Sequence, residues 1–134
     1  MKKSTVFTSL GILVLSGFLI LAGCKKDSDS PVTPAFDVTY STVNLQGGGQ
    51  GLQFYARCTN NAVTMEHITI SDPASAIVVQ EYNGASFAKN ELFPMQETNS
   101  AFVKSTGTWK FNIVGSRTAD GAAFAVDATL AVSK

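Results

Sequence analysis

From residue 36 onward, apolar and polar side chains alternate with period two. Phe36, Val38 and Tyr40 take one phase, and Asp37 and Thr39 take the other. A strand sends successive side chains to opposite faces, so this spacing predicts strands with one face in a core and one in water. Val43 and Leu45 continue in the opposite phase, which places a bulge or kink near Ser41-Thr42. Residues 52–59 alternate again, with Leu52, Phe54, Ala56 and Cys58 against Gln53, Tyr55 and Arg57. Residues 63–70 carry Val63 and Met65 in one phase and Ile68 and Ile70 in the other. Asn60-Asn61 and Ser71-Asp72-Pro73 supply the turn chemistry at either end.

Further along, Ala76-Ile77-Val78-Val79 leads into Gln80-Glu81-Tyr82-Asn83-Gly84. Asn-Gly is a strong signal for a two-residue hairpin turn. Residues 87–93 read as a short edge strand or loop, because Pro94 has no N–H to give to a ladder. A polar loop covers residues 96–100, and a short strand starts within 101–104. Residues 108–113 alternate cleanly, and residues 124–132 form the last and longest strand after Asp120-Gly121. The glycines of Gln46-Gly47-Gly48-Gly49-Gln50-Gly51 make a flexible connection rather than a phosphate cradle. No helix follows them to point its N-terminus at an anion.

Turn residues every eight to twelve positions, with no helical stripe, predict an all-β antiparallel sandwich of about seven strands. The run Gly107-Thr108-Trp109-Lys110-Phe111-Asn112-Ile113, followed by Asp120-Gly121 and Phe124-Ala125-Val126-Asp127, resembles the closing strands of bacterial immunoglobulin-like domains. That resemblance implies an immunoglobulin-like domain over residues 36–134. The antibody disulfide pair is absent, so the resemblance extends to the sandwich architecture alone.

The first 23 residues follow another pattern. Lys2 and Lys3 precede an almost wholly apolar run at residues 6–21, and Leu21-Ala22-Gly23-Cys24 closes it. A basic start, an apolar middle and small residues at the end describe a secretory signal. The competing reading is an uncleaved spanning helix, since the run is long enough to cross a bilayer. Lys25 and Lys26 leave basic residues at both ends, which gives a spanning helix no preferred orientation. Leu-Ala-Gly-Cys resembles the bacterial lipobox, and the resemblance implies that Cys24 becomes the acylated first residue of the mature chain. More than one acyl chain holds a protein stably on a membrane. The Cys24-Lys25-Lys26-Asp27 start is similar to lipoproteins of the Bacteroidota. The expected location is therefore the outer membrane or cell surface, with residues 24–35 as a polar, Pro-bearing linker.

Composition narrows the function classes. The full chain has ten Lys and Arg and ten Asp and Glu. Without Lys2 and Lys3 the balance becomes slightly acidic, and no basic patch exists, so a nucleic-acid partner is not expected. With Cys24 given to lipid, Cys58 has no disulfide partner, and its apolar phase reads as core. His67 is the sole histidine, and its neighbour Glu66 points to the opposite face of a strand, so no metal or other cofactor is expected. The acidic residues are scattered singly and no nucleophile motif is present, so no enzyme is expected.

Aromatics are the better binding candidates. Trp109 shares a phase with Phe111 and Ile113 and reads as core. Tyr55 lies in the polar phase and Tyr82 precedes the Asn83-Gly84 turn, so these two are the candidate ligand-binding rings. Phe93-Pro94-Met95 is an apolar loop expected to cap the open end of the sandwich, with contact to a partner as the alternative. The expected function is a membrane-tethered binding or adaptor module for a glycan or envelope protein. The alternative is a structural spacer or assembly subunit with an exposed pairing strand.

Overall fold

The computed structural model describes residues 32–97 and 99–134, of which Thr33–Lys134 form a compact unit. The apolar run, Cys24 and most of the linker lie outside the described residues. Eight strands follow one another: β1 (Phe36–Asn44), β2 (Gln50–Cys58), β3 (Val63–Ser71), β4 (Ile77–Phe87), β5 (Phe93–Pro94), β6 (Phe102–Val103), β7 (Gly107–Arg117) and β8 (Ala123–Val132). One sheet runs β1-β2-β5, with β6 also pairing with β2. The other runs β4-β3-β7-β8, and every pairing in both is antiparallel. The described residues of the Thr33–Lys134 unit form an all-β sandwich consistent with the immunoglobulin-like class. Its second sheet has the order of an immunoglobulin G-F-C sheet with an added edge strand. The expected count of about seven strands becomes eight because sheet one ends in two separate two-residue pieces.

The alternation does what its period requires. Leu52, Phe54, Ala56 and Cys58 of β2 are buried against Ile68 and Ile70 of β3 and Trp109, Phe111 and Ile113 of β7. Phe54 is the centre of this layer. Its ring lies 4.8 Å from that of Trp109, 5.2 Å from Phe111, 5.6 Å from Phe102 and 6.5 Å from Tyr40. The Trp109 indole N–H donates to the Ser105 carbonyl at 2.9 Å, so the ring is buried without an orphaned donor.

Two local expectations are corrected. The bulge expected near Ser41-Thr42 is absent: β1 stays in register with β2 from Phe36↔Cys58 to Asn44↔Gln50. Val43 instead faces Gly51, and Leu45 fills the space where Gly51 lacks a side chain. A Cβ added at Gly51 would come within 2.7 Å of Leu45. The phase change in β1 thus serves a glycine rather than the core.

The hairpin expected at Asn83-Gly84 is also absent. Both residues lie inside β4, with φ of 52° and 84°. Between the pairs Met65↔Ala85 and His67↔Glu81, β4 takes four steps to two on β3. On its other side, β3 takes two steps from Met65↔Gly115 to His67↔Val114 where β7 takes one. Glu66 is therefore a bulge, which accounts for the phase change between Met65 and Ile68. The reversal itself lies at Asp72, whose Oδ1 accepts the N–H groups of Ala74 and Ala76, each at 2.9 Å.

The sandwich has two sides. Where β1 meets β8, Phe36 and Phe124 lie 5.6 Å apart and the sheets close on each other. On the opposite side, β4 faces the short strands β5 and β6.

Candidate functional site

Tyr82 and Tyr55 approach the same residue from different faces. Tyr82 is half-buried on β4, edge-on to Phe87 at 5.9 Å and Phe93 at 5.6 Å. Its hydroxyl donates to the Pro94 carbonyl at 2.7 Å, tying β4 to β5 across the sandwich. Burial pushes the phenol well above its ordinary pKa. Tyr55 pairs in register with Pro94 but lies in the outward phase of β2, where its hydroxyl donates to Gln53 Oε1 at 3.4 Å. Tyr82 does not offer solvent the free face expected of it, and Tyr55 is half-buried. The two rings do not form one platform.

The other singled-out residues take packing positions. Cys58 is buried and free, and its thiol donates to Asn60 Oδ1 at 3.3 Å. His67 lies on the outward phase of β3, in the other sheet from Cys58 and opposite Glu81. Phe93 and Met95 are buried, but Phe93-Pro94 is strand β5, paired with Ala56 and Tyr55 of β2, so the segment extends the first sheet instead of forming the end-capping loop expected from the sequence. Among the described residues, no group of three or more His, Cys, Asp or Glu side chains converges on a metal-sized site. No helix among them is long and apolar enough to cross a membrane.

Gln96 is a residue that the sequence did not disclose. It is buried, and its Oε1 accepts the Phe54 N–H at 2.9 Å. The Met95 N–H donates to the Phe54 carbonyl, also at 2.9 Å. Together they complete the β2 ladder between β5 and β6, where no continuous strand exists. A glutamine in a polar loop carries no signal that separates this role from ordinary exposure.

Beyond Gln96 the side opens. Ile77, Val78 and Val79 of β4 are 65%, 47% and 49% exposed, and Val103 of β6 is 70% exposed. Val78 pairs with Ile70 and so shares the inward phase, while Ile77 and Val79 share the outward one. Two hollows flank Val78. One, of about 130 Å³, is lined by Val78, Phe102, Val103 and Trp109 among others. The second, of about 240 Å³, adds Gln80, Gln96 and Ala101 to Val78 and Phe102. The signal for this surface was the unbroken triplet Ile77-Val78-Val79. A half-buried strand alternates, so three consecutive aliphatics send at least one to solvent.

No family model, no curated protein and no solved structure matches this chain.

A third depression, of about 310 Å³, lies on the outward face of the β4-β3-β7-β8 sheet. Thr69, Ser71, Lys110, Asn112, Asp127 and Thr129 line it, and Asn112 Nδ2 donates to Asp127 Oδ1 at 2.8 Å. Phe111, the one aromatic residue along it, is buried. The polar depression thus lacks an exposed ring for a sugar to stack on, whereas the open side exposes Ile77, Val78, Val79 and Val103 beside the edge of β4.

Proposed function

We propose that this chain is a lipid-anchored module of the cell envelope or cell surface, and that its domain docks another polypeptide along the open side of the sandwich. The observation that carries the docking is the edge of β4. Among the described residues β4 has no strand beyond it, and it exposes three consecutive aliphatic side chains there. Natural edge strands are shielded by charges, prolines or covering loops, and residues 76–80 have none of the first two. Unpaired N–H and C=O groups beside apolar side chains suit an added strand, the mode in which the main chain supplies affinity and alternate side chains supply specificity.

The glycan reading has less support, because Tyr82 is committed to Pro94 and the polar depression holds no exposed ring. A simple spacer needs no uncharged aliphatic edge. The anchor rests on Cys24 and its lipobox setting. It is tested by labelling the full chain with palmitate: label lost in Cys24→Ala supports it, and label surviving in Cys24→Ala overturns it.

A further inference from the structure

We infer that the polypeptide docked on β4 is a second copy of this chain, paired antiparallel strand to strand about Val78. The inference rests on the docking reading above and names its partner. The edge is self-complementary. In an antiparallel pair centred on Val78, Val78 opposes its own counterpart, Ile77 opposes Val79 of the second copy, and Val79 opposes Ile77. Six exposed aliphatic side chains then meet, and β-branched residues directly opposite one another are favourable cross-strand partners.

The flank fits the same register: Ala76, the last residue of the turn before β4, falls opposite Gln80, and neither carries a charge. Glu81 is the first charge after Asp72 along this stretch. The pairing also has a natural limit, since Ser75, at φ 70°, belongs to the turn before β4 and ends the extended stretch of each copy. A two-fold axis at Val78 uses the same patch on both copies, the isologous arrangement that most soluble dimers adopt. It joins two four-stranded sheets into one of eight, and it lays Val78 of each copy over the hollows beside Phe102 and Val103. A foreign strand would satisfy the main chain equally well, but it would not require Ile77 and Val79 to be symmetric about Val78.

The register makes the test selective. Residues directly opposite in an antiparallel pair lie about 4.5–5.5 Å apart at Cα, within disulfide reach, whereas diagonal neighbours at about 7–8 Å are not. Single cysteines are placed at 77, 78, 79 and 129 in the full, membrane-held chain, which is then exposed to a mild oxidant. Non-reducing gels read the products, and thermal melts confirm that each variant folds. The expected result is a band at twice the chain mass for Val78→Cys and none for Val79→Cys alone. Co-expression of Ile77→Cys and Val79→Cys chains restores the dimer. Equal bands from Val78→Cys, Val79→Cys and the Thr129→Cys control mean random encounter and overturn the pairing. So does the absence of any dimer band. An adduct at another mass from Val78→Cys overturns the second copy while leaving docking on β4 intact.

Discussion

Tyr82 on β4 donates its hydroxyl to the carbonyl of Pro94 on β5 at 2.7 Å, and this bond separates the pinned part of one side of the sandwich from the open part. Above it, Phe87 and Phe93 stack with centroids 4.3 Å apart. Beyond it, Val78 and Val103 stand exposed beside a hollow. The residue expected to reach out for a ligand is the one that fixes where the open surface begins.

Removing that hydroxyl has a readable cost. Tyr82→Phe keeps the ring packing and loses one hydrogen bond, so stability falls by about 1 kcal/mol. For a domain of this size the melting temperature drops by about 4–8 °C.

The same group sets an alkaline limit. An unfolded tyrosine titrates near pH 10, while burial holds the Tyr82 phenol protonated to higher pH in the fold. Above pH 10 the unfolded chain therefore binds fewer protons than the native one, and stability falls as pH rises. Below pH 10 this contribution is fully present. Denaturation midpoints followed from pH 8 to 11 fall more steeply in the wild type than in Tyr82→Phe.

Gln96→Ala leaves the buried Phe54 N–H without its acceptor, which costs about 1–3 kcal/mol. Hydrogen exchange at the Phe54 amide accelerates beyond what the global loss of stability explains. Unchanged protection of that amide contradicts the role assigned to Gln96.

Gly115→Ala is severe for a different reason. A Cβ at this position would lie 2.4 Å from the Thr64 carbonyl oxygen and 3.2 Å from Met65 Cα, where the Glu66 bulge brings β3 close. The neighbour is backbone and has no rotamer to yield, so the loss is about 1–3 kcal/mol. Chemical denaturation of the variant measures it.

Much of the fold was legible because the buried face imposed its period. Trp109, Phe111 and Ile113 alternate with Lys110 and Asn112, and they form the β7 core face as written. The phase change after Met65 was equally visible, and the Glu66 bulge is its cause. Asn83-Gly84 was not decidable locally. Left-handed residues serve a hairpin or a bulge alike, and pairing of both halves of β4 with β3 decides between them. Val43 and Leu45 look like core but cover Gly51, a relation between strands rather than along one. The candidate surface was legible only as an aliphatic triplet. That Val78 sits beside hollows shared with Phe102 and Gln96 depends on residues more than fifteen positions away.

The claim that the open side docks a polypeptide is tested most directly by a photo-crosslinking amino acid in the full chain in the cells that produce it. It is placed at position 79 on the β4 edge and, separately, at position 129 on β8. Illumination gives a discrete protein adduct from position 79 and none from position 129. No adduct at 79, or adducts of equal yield at both positions, contradicts the claim.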